Sequence, residues 1–158
     1  MQGNVTSFLI DHKKLIPGVY LHEVKEIAPN VFVTTFDIRF KKPNSNDYLT
    51  PLASHSLEHI IATYFSTKHP NEKIYFGPMG CLTGFYLLLK GKVTVNELLL
   101  TFNDLNDFIH SLNDVPAKNP DSCGNYQLLS LKEAIKAWDS FYSQKDKWGT
   151  KYPILAID

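Results

Sequence analysis

The chain has 158 residues, a length that fits one domain able to bury a core without disulfide staples, and it is 44% hydrophobic and 20% charged, which excludes a disordered tail. Sixteen basic side chains cancel sixteen acidic ones, so the basic surplus that neutralises nucleic-acid phosphates is missing. No run of about eighteen apolar residues could form a spanning helix.

Met1-Gln2-Gly3-Asn4 lacks the basic head and apolar run of a secretory signal, so the expectation is a soluble, cytoplasmic protein without nucleic-acid or membrane partners. In that compartment Cys81 and Cys123 are expected to stay thiols. Of the sixteen basic residues only Arg39 is an arginine. It is therefore a candidate for a task lysine performs badly, such as a planar fork on a pair of oxygens.

In chain order, Ser7-Phe8-Leu9-Ile10 reads as an extended segment leading into Asp11-His12, and Pro17-Gly18 marks a turn. Val31 to Phe40 is the clearest strand, rich in β-branched and aromatic residues. Alternation puts Phe32, Phe36, Ile38 and Phe40 on one face and Val31, Val33, Asp37 and Arg39 on the other. A helix follows, capped by Ser54 and running to about Thr67, with Leu57, Ile60, Ile61, Tyr64 and Phe65 as its core stripe. Gly77-Pro78-Met79-Gly80 reads as a tight loop and Phe85 to Leu89 as a buried strand. Capping boxes at Thr94–Glu97 and Ser130–Glu133 open two further helices. Their inward stripes are Leu98, Phe102, Leu105, Phe108, Ile109 and Leu112, then Ile135, Trp138, Phe141 and Tyr142. The order predicts an α+β fold, a mainly antiparallel sheet packed against helices in a single layered domain. Residues 149–158 have no predicted place.

The strongest chemical signal is His55-Ser56-Leu57-Glu58-His59. Histidines four apart on a helix lie one above the other, so both imidazoles can meet one ion, with Glu58 beside them as a proton acceptor. A third ligand has three sources in the sequence: Cys123, Glu133 or Cys81. Glu133 would make the site resemble an H-x-x-E-H metallopeptidase, although Glu133 is also accounted for as a capping-box acid. Cys81 lies among Gly77, Pro78, Gly80 and Gly84, where a backbone or a substrate can come close, and a thiol there can carry a proton.

Together these segments resemble the S-ribosylhomocysteine lyase (LuxS) family from about Ser7 to Leu131. The resemblance rests on Ser7-Phe8-Leu9-Ile10-Asp11-His12, Phe36-Asp37-Ile38-Arg39-Phe40 with Pro43-Asn44, the His55–His59 string, Pro78-Met79-Gly80-Cys81 with Thr83-Gly84-Phe85-Tyr86, and Cys123-Gly124, in that order. It implies that His55, His59 and Cys123 hold a metal, natively Fe²⁺ with Zn²⁺ or Co²⁺ as substitutes. It implies that Cys81 and Glu58 are the acid/base pair and that Ser7, His12 and Arg39 contact the substrate. It further implies a homodimer with active sites at the subunit interface. The implied reaction converts S-ribosylhomocysteine to homocysteine and dihydroxypentanedione, the precursor of a quorum-sensing autoinducer, by carbonyl migration and β-elimination. Against the family pattern, an arginine is missing near Val19-Tyr20-Leu21, Leu82 stands where a polar residue is expected, and residues 149–158 have no counterpart. Three other readings remain: a small metallopeptidase using His55, His59 and Glu133 with Glu58 as base, a metal-binding module without activity, and a redox protein using both cysteines.

Overall fold

The computed structural model describes residues 6–156. It contains strands β1 (Gly18–Ala28), β2 (Val31–Arg39), β3 (Lys73–Pro78) and β4 (Gly84–Lys90), and helices α1 (Pro51–Lys68), α2 (Val95–Ser111) and α3 (Leu131–Tyr142). The strands form one antiparallel sheet in the order β1-β2-β4-β3, so the α+β expectation holds.

Alternation on β2 works as predicted. Phe36 and Ile38 face inward and meet Leu87 and Phe85 of β4 across the ladder. Onto this face pack Leu57, Ile60, Ile61, Tyr64 and Phe65 of α1, Phe102 and Leu105 of α2, and Trp138 and Phe141 of α3, in one buried cluster. The opposite face carries Tyr20, Asp37 and Tyr86, aligned across β1, β2 and β4. Arg39 lies opposite Gly84, where a Cβ would run into the Ile38 carbonyl oxygen. Glycine thus allows the close strand approach at the point where the arginine leaves the sheet.

The structure corrects the sequence reading in four places. Residues Thr6–Leu9 form a 3-10 turn, not an extended segment. Helix α1 starts at Pro51, ahead of Ser54, because Thr50 caps it: Thr50 Oγ1 accepts the Ala53 N–H at 3.1 Å, and proline fits the first helical position. Gly77-Pro78 ends an unanticipated strand, β3, and the tight loop is confined to residues 79–83. As the sheet edge, β3 tolerates a proline that an inner strand would not. Finally, residues 149–155 are ordered against β1 and the N-terminal segment, with Gly149 beside Gly18 and Ile154 beside Ile10. The capping box of α2 is complete, and Ser130 caps α3 by accepting the Glu133 N–H.

Thr50→Ala removes the α1 cap and should cost about 1 kcal/mol, lowering the thermal midpoint by about 2–4 °C. A melt monitored by circular dichroism checks this, and an unchanged midpoint would show that the cap is dispensable.

Candidate active site

Two clusters of functional side chains stand out. The first is built on α1. Ser56 is buried and accepts the Ser130 N–H at 2.7 Å, docking the start of α3 against this helix. On the same helix, the connection between α2 and α3 reaches both histidines. His55 Nδ1 donates to the Leu128 carbonyl oxygen at 2.9 Å, and His59 Nδ1 donates to that of Pro116 at 2.9 Å. A carbonyl only accepts, so each neutral ring keeps its proton on Nδ1 and presents a bare Nε2. The two rings meet edge to face with centroids 4.8 Å apart.

Cys123 completes the group. Its backbone N–H donates to the Asn119 carbonyl oxygen at 3.1 Å, fixing the loop, and its Sγ lies 3.5 Å from His55 Nε2. One ligand atom from each of His55, His59 and Cys123 falls within 4.8 Å of the others. Tetrahedral bonds of about 2.0–2.3 Å would set neighbouring donors about 3.3–3.7 Å apart, so a small contraction brings the three onto one ion. Carbonyl-anchored imidazoles are the orienting arrangement that metal-binding histidines use. The donor set therefore fits a divalent metal, with Glu58 half-buried on the same helix.

The second cluster surrounds Cys81. Arg39, only 3% exposed, donates through Nε to Asp37 Oδ1 at 3.1 Å and through Nη2 to Asp37 Oδ2. Its Nη1 donates to Thr83 Oγ1 at 2.7 Å and lies 4.0 Å from Cys81 Sγ. Burial works against the arginine's charge, but the Asp37 carboxylate and its hydrogen bonds outweigh it, holding the guanidinium pKa above its ordinary value. The planar fork foreseen for the lone arginine is present, and it closes on an internal carboxylate. Cys81 Sγ also lies 3.0 Å from Thr83 Oγ1. A cleft of about 270 Å³ opens here, lined by His12, Arg39, Pro43, Asn44, Cys81 and Thr83, with Tyr48 at its side. His12 donates from Nδ1 to the Ile10 carbonyl oxygen at 2.9 Å, and among the described residues its Nε2 has no hydrogen-bond partner. Ser7 is half-buried in the 3-10 turn and is not among the cleft's lining residues.

The structure thus separates the three sources of a third ligand. Cys123 joins the histidines, while Cys81 sits with Arg39 and both cysteines are free thiols. Glu133 lines a different cleft with Lys41, Asp47 and Lys136, so the peptidase arrangement has no ligand there. Asp37 and Thr83 were not foreseen as parts of this cluster, nor was Tyr152, whose hydroxyl donates to Asp37 Oδ2 at 2.9 Å. For Asp37 a signal existed, since alternation places it beside Arg39 on the outer face. Where an arginine was expected near Tyr20, the tyrosine ring instead stacks on Tyr152 at 4.8 Å.

Comparison with known proteins agrees with these motifs. The family model for S-ribosylhomocysteinase (LuxS) matches residues 5–152. The S-ribosylhomocysteine lyase of Finegoldia magna is 39% identical over 144 residues, covering 90% of this chain and 88% of its own length. The S-ribosylhomocysteine lyase of Phocaeicola vulgatus is 40% identical over 140 residues, covering 86% and 84%. That of Borreliella burgdorferi is 41% identical over 133 residues, covering 82% and 84%. With a match that spans the residues of both clusters, the chain belongs to the S-ribosylhomocysteinase (LuxS) family of carbon–sulfur lyases.

Proposed function

We propose that this enzyme cleaves S-ribosylhomocysteine to homocysteine and dihydroxypentanedione in the cytoplasm. His55, His59 and Cys123 hold a divalent ion, Fe²⁺ in the cell with Zn²⁺ or Co²⁺ able to replace it, and Cys81 and Glu58 carry protons. The observation that carries this reading is the convergence of two bare imidazole nitrogens and a thiol sulfur within 4.8 Å in a chain of this family.

The substrate dictates what the side chains must do. Expelling a thiolate from C5 of the ribose requires an acidic hydrogen on C4, and that requires a carbonyl at C3. The open-chain sugar has its carbonyl at C1, so two isomerisations must move it. When bound, the metal supplies Lewis acidity to the sugar oxygens. Each isomerisation takes a proton from one carbon and returns one to its neighbour, which calls for proton carriers on opposite sides of the chain. Cys81 is one carrier: exposed to the cleft and 4.0 Å from a buried guanidinium, its sulfur in the anionic form can take a proton from carbon. Glu58, beside the metal ligands on α1, is the other. In the last step the C4 proton is removed, its electron pair forms the C3–C4 enolate, and the C5–S bond breaks with its pair leaving on sulfur. Protonation of that sulfur gives homocysteine. His12 Nε2, Ser7 and the cleft-facing edge of Arg39 bind and orient the sugar.

We further propose a homodimer in which the cleft of one subunit meets the metal group of the other. None of His55, His59 and Cys123 lines the Cys81 cleft. Strand β1 also exposes Leu21, Val24 and Ile27, an apolar surface suited to covering by a second copy.

Incubation with S-ribosylhomocysteine should release free thiol at a rate measured by a colorimetric thiol reagent; no release from metal-loaded protein would sink the reading. Cys81→Ala should abolish release while retaining near-stoichiometric metal. Metal analysis after dialysis should find Cys123→Ala depleted and Glu133→Ala loaded, and the reverse pattern would restore the peptidase arrangement. Mixing inactive Cys81→Ala and Cys123→Ala subunits under exchange should restore about a quarter of wild-type activity, since half the dimers then carry one intact interfacial site. Zero recovery would place each site within a single chain.

A further inference from the structure

The C-terminal segment runs back along the start of β1. Gly149 N–H donates to the Pro17 carbonyl oxygen at 3.0 Å, and Val19 N–H donates to that of Gly149 at 3.0 Å. Both residues at this crossing are glycines: a Cβ on Gly18 would collide with the Gly149 backbone, and one on Gly149 would strike the Tyr20 ring. Further along, Asp11 N–H donates to the Pro153 carbonyl oxygen at 2.7 Å, and Leu155 N–H to that of Leu9 at 2.9 Å. Pinned on both sides, Tyr152 is delivered to the outer face of the sheet, stacked nearly parallel on Tyr20.

Its hydroxyl donates to Asp37 Oδ2 at 2.9 Å and lies 3.2 Å from His22 Nδ1. An ionised carboxylate only accepts, so the Tyr152 proton points to Asp37 and the oxygen is left to accept from His22. Asp37 is fully buried, and among the described residues its side-chain donors are Arg39 and Tyr152. Tyr20, Tyr86 and His22 stand around it. Burial, with Asp37 close by, pushes the Tyr20 pKa up to about 12 and raises that of Tyr152 further, so both phenols stay protonated as donors at neutral pH.

Building on the lyase reading of Cys81, we propose that Tyr152 is a positioning residue for that thiol, acting through the Asp37 carboxylate that grips the only arginine. Without the tyrosine O–H, Asp37 keeps more of its negative charge and cancels more of the guanidinium's field. That leaves the Cys81 sulfur facing less positive charge and makes it a poorer nucleophile.

Tyr152→Phe keeps the stack and deletes only the O–H. Timed alkylation of metal-loaded protein with iodoacetamide at neutral pH, followed by peptide mass analysis, reads Cys81 and Cys123 separately. The expected result is about three- to tenfold slower alkylation of Cys81 with Cys123 unchanged. Tyr20→Phe loses a bond to the Ile16 carbonyl oxygen but spares Asp37, and should alkylate like wild type. An unchanged Cys81 rate in Tyr152→Phe overturns the proposal. So does a change shared by Cys123 or by Tyr20→Phe, which would signal general loosening of the sheet. Alkylation reports on the sulfur directly, so the result holds independently of thiol release, whereas failure of the wild type to release thiol sinks the lyase reading alone.

Discussion

The candidate metal group depends on one constraint: a helix presenting His55 and His59 on the same flank must also have each Nδ1–H satisfied by a backbone carbonyl from elsewhere. Leu128 and Pro116 supply those carbonyls from opposite ends of the connection between α2 and α3. The connection is thereby tied to α1 at two points, and Cys123 lies on the stretch between them. Three potential ligands are brought together by two hydrogen bonds and the packing of α1 against the sheet. Part of the cost of ordering the site is met by folding itself.

The second cluster obeys a different electrostatic rule. A buried ion pair carries a desolvation penalty that is offset only when every donor and acceptor is engaged, and removing one partner of such a pair typically costs about 3–5 kcal/mol. Arg39 and Asp37 are almost wholly buried, and three guanidinium nitrogens engage Asp37 and Thr83. Lysine presents a point charge with no planar fork and could not reproduce this arrangement. That accounts for an arginine at position 39 in a chain whose other basic residues are all lysines.

Features stabilised within a few residues were legible in the sequence. The caps at Thr94 and Ser130, the alternation of β2 and the histidine spacing each declare themselves over at most ten positions. Strand β3 did not, because the edge position that admits its proline comes from its pairing with β4, not from its own pattern. The start of α1 was misplaced because Ser54 is also a plausible cap, although Thr50-Pro51 carries the stronger combination. Tyr152 could not be found locally at all, since its partner Asp37 lies 115 positions away. The choice among Cys123, Glu133 and Cys81 as third ligand was likewise a question of tertiary placement, which spacing alone leaves open.

The two thiols stand in different surroundings. Cys123 is half-buried on a loop beside a bare imidazole nitrogen, an environment for coordinating an ion. Cys81 is exposed on a turn between Met79 and Leu82, with a guanidinium and a hydroxyl as its neighbours. Leu82, the next residue, has a φ of +58°, a left-handed conformation that costs a leucine about 1 kcal/mol or more. It is held there because its N–H donates to the Met79 carbonyl oxygen, its own carbonyl oxygen accepts from Leu49, and its side chain packs against the core. The turn is therefore clamped by contacts that do not involve the sulfur. Those backbone bonds hold the turn and leave the Cys81 side chain lining the cleft beside Arg39 and Thr83.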